Sequence, residues 1–216
     1  IQLAAQEVID GKLDEHFPID IYQTGSGTSS NMNANEVISH RAMELVPDLS
    51  VKVHPNDHIN FGQSSNDTFP TAIRIAGYLE TKNTLIPALK YLRETFLKKG
   101  AEYSHVVKTG RTHLMDAMPV TFEQEFGGYA RQIEIGIQRI ESVLEQMAEL
   151  PMGGTAVGTG INTDLEFPPK FAKEVSKLCG ESFREAENHF EAQSTVDAPV
   201  ALGAQLKTLA VSLLKI

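Results

Sequence analysis

The sequence predicts a mainly α-helical protein, a bundle of long helices. Its longest periodic segment, residues 121–148, places apolar side chains at steps of three and four, which is the spacing of one helix face. At about 1.5 Å of rise per residue, this helix is on the order of 40 Å long, a length typical of bundles. Few segments alternate between apolar and polar residues as strands do. We therefore expect helices to form most of the structure.

The long helix has recognisable start signals. Pro119 precedes it, and Thr121 with Gln124 has the spacing of a capping box, in which two side chains satisfy N–H groups at the helix start. Gly127 and Gly128 lie inside it at a cost of about 1 kcal/mol each relative to alanine. We therefore expect a close helix contact at these glycines. The apolar face consists of Phe122, Phe126, Tyr129, Ile133, Ile137, Ile140, Leu144 and Met147.

Six shorter segments are also predicted to be helical. Pro87 marks the first turn of one of them, and Gly180 ends another. The first pattern is already under way at Ile1, and the last is still running at Ile216, so we expect a fragment of a longer chain. The segments are residues 1–9, 31–45, 70–80, 85–98, 169–178 and 191–216.

The composition is that of a globular protein with a packed core. The 216 residues are 41% hydrophobic and 22% charged, without a repeat or a low-complexity tract. A loop-rich beginning gives way to long helices near Gly62. We predict that residues 1–62 complete an N-terminal domain whose start is missing, and that residues 63–216 begin a central helical-bundle domain.

Charge and cysteine content exclude several classes of partner. A formal net charge of -9 disfavours nucleic acids and anionic membranes, because both attract basic surfaces. No apolar run approaches the roughly 18 residues of a membrane-spanning helix. Cys179 is the only cysteine, which excludes a disulfide framework and a thiolate metal cluster. We expect a reducing compartment, the cytoplasm or, in a eukaryote, the mitochondrial matrix.

Four polar loops carry the candidate chemistry, and each precedes a predicted helix. The first, "TGSGTSSN", offers hydroxyl donors at a helix N-terminus, where free N–H groups and the helix dipole favour an anion. Its glycines permit close backbone approach. A flexible linker or a simple cap is the alternative interpretation. Asn31 and Asn35, which share one helix face, favour a binding site.

The second loop, "GQSSNDTFPTAI", repeats this arrangement. Ser64, Ser65 and Asn66 are hydrogen-bond donors, Asp67 or Thr68 serves as a cap, and Pro70 is predicted to open the helix. A well-made helix cap without any ligand is the alternative.

The third loop, "KTGRTHLMDAMP", adds ionisable groups. Lys108, Arg111 and His113 surround a predicted turn at Gly110. A histidine in such a place is an acid/base candidate, although most histidines have no catalytic role.

The fourth loop and a histidine-containing segment fail the tests for cofactor binding. "PMGGTAVGTGIN" has the glycine spacing of a phosphate loop, but Thr159 and Gly160 stand where Lys and Ser or Thr are required. "HPNDHIN" contains His54, Asp57 and His58 at spacings that match no zinc motif. We predict no metal and no cofactor.

Taken in order, five motifs resemble those of the fumarase/aspartase superfamily and, within it, the class II fumarases. The motifs are "SGTSSNMNANEV", "HPND", "QSSNDTFPTA", "GRTHLMDA" and "GGTAVGTGIN". Aspartases typically read "STND" for "SSND" and "GATA" for "GGTA", so the resemblance favours the fumarases.

The resemblance implies reversible dehydration of L-malate to fumarate, a step of the tricarboxylic acid cycle, in a homotetramer whose active sites are shared between subunits. His113 would be the catalytic acid/base group. "HPND", that is His54, Pro55, Asn56 and Asp57, would form a second dicarboxylate site away from the chemistry. The substrate carboxylates would be bound by Ser26, Thr28, Ser64, Ser65, Asn66 and Thr112.

Two other interpretations remain open from the sequence. One is an ammonia lyase such as an aspartase, or another lyase of the superfamily. The other is a non-catalytic superfamily scaffold. The resemblance implies that a mobile loop carrying a catalytic serine and a substrate-binding lysine follows Ile216, so residues 1–216 hold only part of the expected machinery.

Overall fold

The computed structural model describes residues 1–48 and 50–216. Most of these residues are helical, which confirms the predicted fold class. The elements in chain order are α1 (Gln2–Ile9), α2 (Thr28–Leu45), α3 (Ser65–Glu80), α4 (Ile86–Glu102), β1 (Val107–Thr112), β2 (Met115–Thr121), α5 (Phe122–Met147), β3 (Glu149–Leu150), α6 (Phe167–Cys179), β4 (Arg184–Glu185), α7 (His189–Ser194) and α8 (Asp197–Lys215).

The chain forms two compact units, each made of two segments. The first contains Ile1–Arg74 and Ala148–Val196, and the second contains Ile75–Met147 and Asp197–Ile216. The predicted boundary near Gly62 refers to domains of the complete protein and stays a prediction. In the part of the chain described, no helix has the length and hydrophobicity needed to cross a membrane.

The first unit packs α1 against α2 and joins distant segments through a short parallel strand pair, β3 with β4. Arg74 is buried, and its guanidinium donates a 3.1 Å hydrogen bond to the carbonyl of Glu149 in β3. Burial lowers the pKa of Arg74 by desolvating its charge. A π-helical turn, Pro55–Ile59, packs against α2.

The second unit is built on α5, which packs between α4 and α8. The predicted apolar face is the buried one, and it includes Ile133, Ile140 and Met147. The capping box is also confirmed, because the Thr121 N–H donates to Gln124 Oε1 at 3.0 Å and the Gln124 N–H donates to Thr121 Oγ1 at 3.2 Å.

The expected close helix contact at Gly127 and Gly128 is not made by the described residues of this chain, so it stays a prediction. Among the residues described, no atom lies within 4 Å of a Cβ built on either glycine. A close approach occurs instead at Gly136, further along α5, where a side-chain atom of Leu209 in α8 lies 3.0 Å from a Cβ built on the glycine. Periodicity located the buried face correctly but did not identify which glycine the neighbouring helix meets.

Two predicted helix boundaries need correction. The segment predicted as one helix at residues 191–216 is broken, since Thr195 is extended between α7 and α8. Pro199 explains the break, because it lacks the N–H that a continuous helix would use and is tolerated only in the first turn of a new helix. Helix α3 begins at Ser65, so Pro70 lies inside the helix rather than at its start.

The segment with the third polar loop folds as a β-hairpin, which the sequence analysis missed. Strands β1 and β2 pair antiparallel, from Val107 opposite Thr121 to Thr112 opposite Met115. The chain therefore reverses at His113 and Leu114, and the predicted turn at Gly110 is wrong. Gly110 lies in β1 at an irregularity of the ladder, where a Cβ would approach the carbonyl oxygen of Met118 to 2.6 Å.

Candidate functional site

The first polar loop ends at the N-terminus of α2, where Gly27 is the capping residue. Gly27 has a φ of 70°, in the left-handed region, and is buried against the ring of Phe69. The neighbouring hydroxyls remain exposed, with Ser26 Oγ and Thr28 Oγ1 sharing a 3.0 Å hydrogen bond. A glycine thus lets the helix start pack closely while two hydroxyls face outward.

The second polar loop caps α3 and lies beside the first. Ser65 Oγ accepts a 2.8 Å hydrogen bond from the side-chain amide of Asn31 on α2, which joins the two helix starts. Ser64 Oγ accepts the N–H of Asn66 at 3.2 Å. The Asn66 side-chain amide donates to the carbonyl of Ala156 at 2.9 Å. The structure therefore brings together the predicted residues of both loops within the first unit.

A buried amide network supports these helix starts. Asn31 and Asn35 are 8% and 6% exposed, and they lie on one face of α2 as the sequence predicts. Both donate to Asn60 Oδ1, at 3.3 and 3.2 Å. The sequence analysis did not single out Asn60, because its partners precede it by 29 and 25 residues.

Asp67 is a second residue whose role was not foreseen, beyond its suitability as a cap. Its side chain is completely buried and accepts the N–H of Ser64, at 2.9 Å, so it stands at the third helical position of a capping-box arrangement. Its other oxygen accepts the N–H groups of Gly153 and Thr155, at 3.1 and 2.8 Å. The fourth polar loop is therefore attached to the second.

The fourth loop is a tightly held turn and not a phosphate loop. Its Thr155 is 3% exposed and has a φ of 57°, which is strained for a β-branched residue. The side-chain amide of Gln193 donates to the Thr155 carbonyl at 2.7 Å, and His189 Nδ1 lies 2.9 Å from the carbonyl of Pro151. Side chains of α7 thus fix the loop from the other side.

Two cavities of the first unit both have Ala156, the hydrogen-bond partner of Asn66, in their walls. One, of about 460 Å³, has both Ser26 and Asn66 in its wall together with apolar groups such as Phe69. The other, of about 680 Å³, is lined by Asp57, Ser64 and Thr155 among other residues. Exposed hydroxyl and amide groups in concave surfaces suit a small polar ligand.

The "HPND" segment forms the start of the π-helical turn. His54 caps this turn, since its Nδ1 accepts the N–H of Asp57 at 3.3 Å. His54, Asn56 and Asp57 are exposed, and Pro55 opens the turn. Asn56 and Asp57 line the 680 Å³ cavity that also contains Ser64, a proximity that the sequence did not indicate.

Metal ligation finds no support in these arrangements. Among residues 1–48 and 50–216, no three His, Cys, Asp or Glu side chains are grouped so that they could hold a metal ion. Burial raises the pKa of the Cys179 thiol, with a further contribution from Glu181, which disfavours the thiolate that binds metals.

Thr112 and His113 belong to the second unit, at the tip of the β-hairpin. Both are exposed, and His113 and Leu114 have φ values of 49° and 61°, the left-handed conformation at both turn positions. Lys108 is not a free cation, because its ammonium lies 2.8 Å from each carboxylate oxygen of Glu125. This ion pair ties β1 to α5.

Comparisons with known proteins agree with the motifs. A family model described as "Lyase" matches residues 1–216. The chain is 56% identical to the class II fumarate hydratase of Corynebacterium glutamicum, over 99% of its own length and 44% of that protein. It is 54% identical to the mitochondrial fumarate hydratase of Dictyostelium discoideum, over 100% of its own length and 45% of that protein.

The fold matches a solved structure equally well. The crystal structure of a recombinant class II fumarase from Schistosoma mansoni superposes with a TM-score of 0.94 at 39% identity, covering 98% of this chain and 48% of that one. The chain thus spans less than half the length of the relatives it matches. The predicted resemblance is confirmed, and the chain belongs to the lyase family.

Proposed function

We propose that the complete protein is a fumarate hydratase, which interconverts L-malate and fumarate. The observation that carries the proposal is the 2.8 Å bond between Asn31 and Ser65, which gathers the hydroxyl-rich starts of α2 and α3 in one unit. Relatives that share more than half of their aligned residues with this chain bear that name. The reaction belongs to the tricarboxylic acid cycle.

The chemistry explains why hydrogen-bond donors are needed. Removal of the C3 proton of malate, next to a carboxylate, places additional negative charge on that carboxylate and gives an aci-carboxylate. Hydrogen-bond donors that meet this charge are each worth about 3 to 4 kcal/mol of barrier. We assign carboxylate binding to Ser26, Thr28, Ser64, Ser65, Asn66 and Thr112.

We assign the acid/base role near the leaving hydroxyl to His113. Its exposure at a hairpin tip supports a site completed by other surfaces, since catalytic proton transfer needs a positioned, partly desolvated group. The catalytic serine would come from the chain that follows Ile216, as in the class II fumarases that the sequence resembles.

We propose a homotetramer with active sites shared between subunits. Within the described chain, the space next to Gly127 and Gly128 is unoccupied, which supports this proposal. Exposed apolar side chains on α8 also support it, among them Val200, Val211 and Leu214. Sedimentation of the complete protein paired with a fumarate assay tests it. A monomer of normal specific activity would contradict shared sites.

We propose that no metal or nucleotide is required and that "HPND" is a second dicarboxylate site. The failed zinc and phosphate-loop spacings support the first point. The exposed side chains of Asn56 and Asp57 support the second, in a cavity whose wall also contains the carboxylate-binding candidate Ser64. We place the enzyme in the cytoplasm or, for a eukaryotic source, in the mitochondrial matrix.

The test is an assay of the complete protein, purified in the presence of a chelator, for fumarate absorbance with malate and with aspartate in parallel. Malate turnover that falls by roughly two to four orders of magnitude in a His113→Asn variant is the expected result. Fumarate from aspartate alone would identify an ammonia lyase. No turnover with either substrate would favour the non-catalytic scaffold.

A further inference from the structure

Asp67 is buried completely, and the four donors that its carboxylate accepts from within the described residues are all neutral. Oδ1 accepts the N–H of Ser64 at 2.9 Å and the hydroxyl of Thr68 at 3.3 Å, and Oδ2 accepts the N–H groups of Gly153 at 3.1 Å and Thr155 at 2.8 Å. A carboxylate offers about four acceptor positions, so these donors occupy its whole capacity. A buried acidic group that is fully satisfied in this way holds its partners in a fixed arrangement.

The partners lie far apart in the sequence. Ser64 is three residues before Asp67, whereas Gly153 and Thr155 follow it by 86 and 88 residues. A helix cap requires only the bond to Ser64, which a capping box provides. The second carboxylate oxygen is therefore available for a different task, the attachment of the segment at residues 151–158.

This segment needs external support to keep its shape. Thr155 holds a left-handed backbone conformation that a β-branched residue avoids, and its side-chain Oγ1 is buried without a partner among the residues described. Asp67 binds its N–H, and Gln193 binds its carbonyl. Strain of this kind persists only where the surroundings over-determine the conformation.

We infer that Asp67 is a positioning residue for the proposed reaction: by joining Ser64 to the turn at Gly153 and Thr155, it fixes the donors Ser64, Ser65 and Asn66 against the wall of the binding cavities. The inference rests on the proposed function for its kinetic consequence. The hydrogen bonds that connect Asp67 to Ser64, Gly153 and Thr155 form what we call the joint. The joint is a property of the fold, and its stability is measurable without a substrate.

The joint is tested by hydrogen exchange of the complete protein carrying Asp67→Asn. The amide NH₂ replaces one acceptor with a donor that faces N–H groups, so one side of the joint is lost. We expect faster exchange in residues 62–68 and 151–158 together. The control is Ser176→Ala, which removes a hydroxyl that accepts the Phe183 N–H at 2.9 Å elsewhere in the same unit. Unchanged exchange in either segment would overturn the inference.

The positioning role is tested by kinetics on the same variant. Misplaced donors bind the substrate carboxylates less well and also meet less of the charge that develops in the transition state. We therefore expect kcat/KM for malate to fall by about 10- to 100-fold, through a raised KM together with a lowered kcat. The pH dependence of kcat should keep its shape, because the acid/base groups are unaltered. A fall in kcat alone, or an unchanged KM, would contradict the role.

Thr68→Val is a second, milder variant that tests the same inference if the Asp67→Asn protein does not fold. This near-isosteric change removes the 3.3 Å hydroxyl donor to Asp67 and a longer contact, 3.5 Å, from the same hydroxyl to Gln63 Oε1, while the Asp67 carboxylate stays in place. We expect a smaller rise in KM, about two- to tenfold, with a smaller gain in exchange of both segments. A Thr68→Val variant that matches the unmodified protein in both measurements would count against the inference. Absence of fumarate hydration by the unmodified protein would refute the proposed function instead, while the exchange data would still decide the joint.

Discussion

Gly27→Ala tests whether the contact between α2 and α3 requires that residue 27 has no side chain. A Cβ on Gly27 would lie closer than 3.0 Å to three ring atoms of Phe69, a distance that real Cβ atoms do not reach. The left-handed conformation adds about 1 to 2 kcal/mol for any L-residue. Overpacking a close contact adds about 1 to 3 kcal/mol. The expected destabilisation is therefore about 2 to 5 kcal/mol in total.

Gly25→Ala is a matched control two residues away. Gly25 is exposed, its φ is not in the left-handed region, and no atom lies within 4 Å of a Cβ built on it. Urea titration of the complete protein compares the variants by midpoint, because a large protein does not unfold in two states. We expect Gly27→Ala to have the lower midpoint and a raised KM for malate.

The geometry also predicts a partial rescue. Phe69→Ala removes the ring that the new methyl group would strike, so the double variant should be more stable than the sum of the two single changes implies. Equal midpoints for Gly27→Ala and Gly25→Ala would refute the steric argument. A purely additive double variant would show that backbone conformation alone carries the cost.

Three further predictions concern the proposed chemistry. His113→Asn should lower turnover by roughly two to four orders of magnitude with the fold intact by circular dichroism, the usual range for a positioned acid/base group. His54→Asn should change activation or inhibition by added dicarboxylates more than malate turnover at low substrate; an equal collapse in both histidine variants would contradict separate sites. Exhaustive chelation should leave fumarate hydration unchanged, and activity restored only by a divalent ion would contradict a cofactor-free reaction.

The sequence predicts the helices well where one buried face decides the structure. In α5 the apolar residues recur with the helical period, so the sequence alone predicts which side chains pack between α4 and α8. The ends of the helices are harder to predict from the sequence, because a single residue can decide where a helix stops. Pro199 breaks the last helical pattern even though the apolar spacing continues on both sides of it.

The candidate site is predictable only as far as local chemistry reaches. The hydroxyls of Thr28 and Ser65 are visible because they stand at helix starts with recognisable capping residues. Asn60, Asp67 and Gln193 act through partners that lie 25 to 88 residues away. Their immediate sequence indicates at most the cap at Asp67 and none of these distant contacts, since the same residue types serve as ordinary caps and surface groups elsewhere.

Two independent arguments concern the hairpin tip at His113 and Leu114: one is its backbone conformation, and the other is the motif resemblance. Sequence rules place Asn-Gly or another flexible pair at a two-residue hairpin turn, because both positions take positive φ. This chain has His113 and Leu114 there, at 49° and 61°, and Leu114 is 95% exposed. An exposed leucine in a strained turn has no stabilising contact within the described chain to explain it. Local rules fail where a function or a partner imposes another requirement. Backbone strain and motif resemblance therefore direct attention to the same turn, although one concerns energy and the other concerns chemistry.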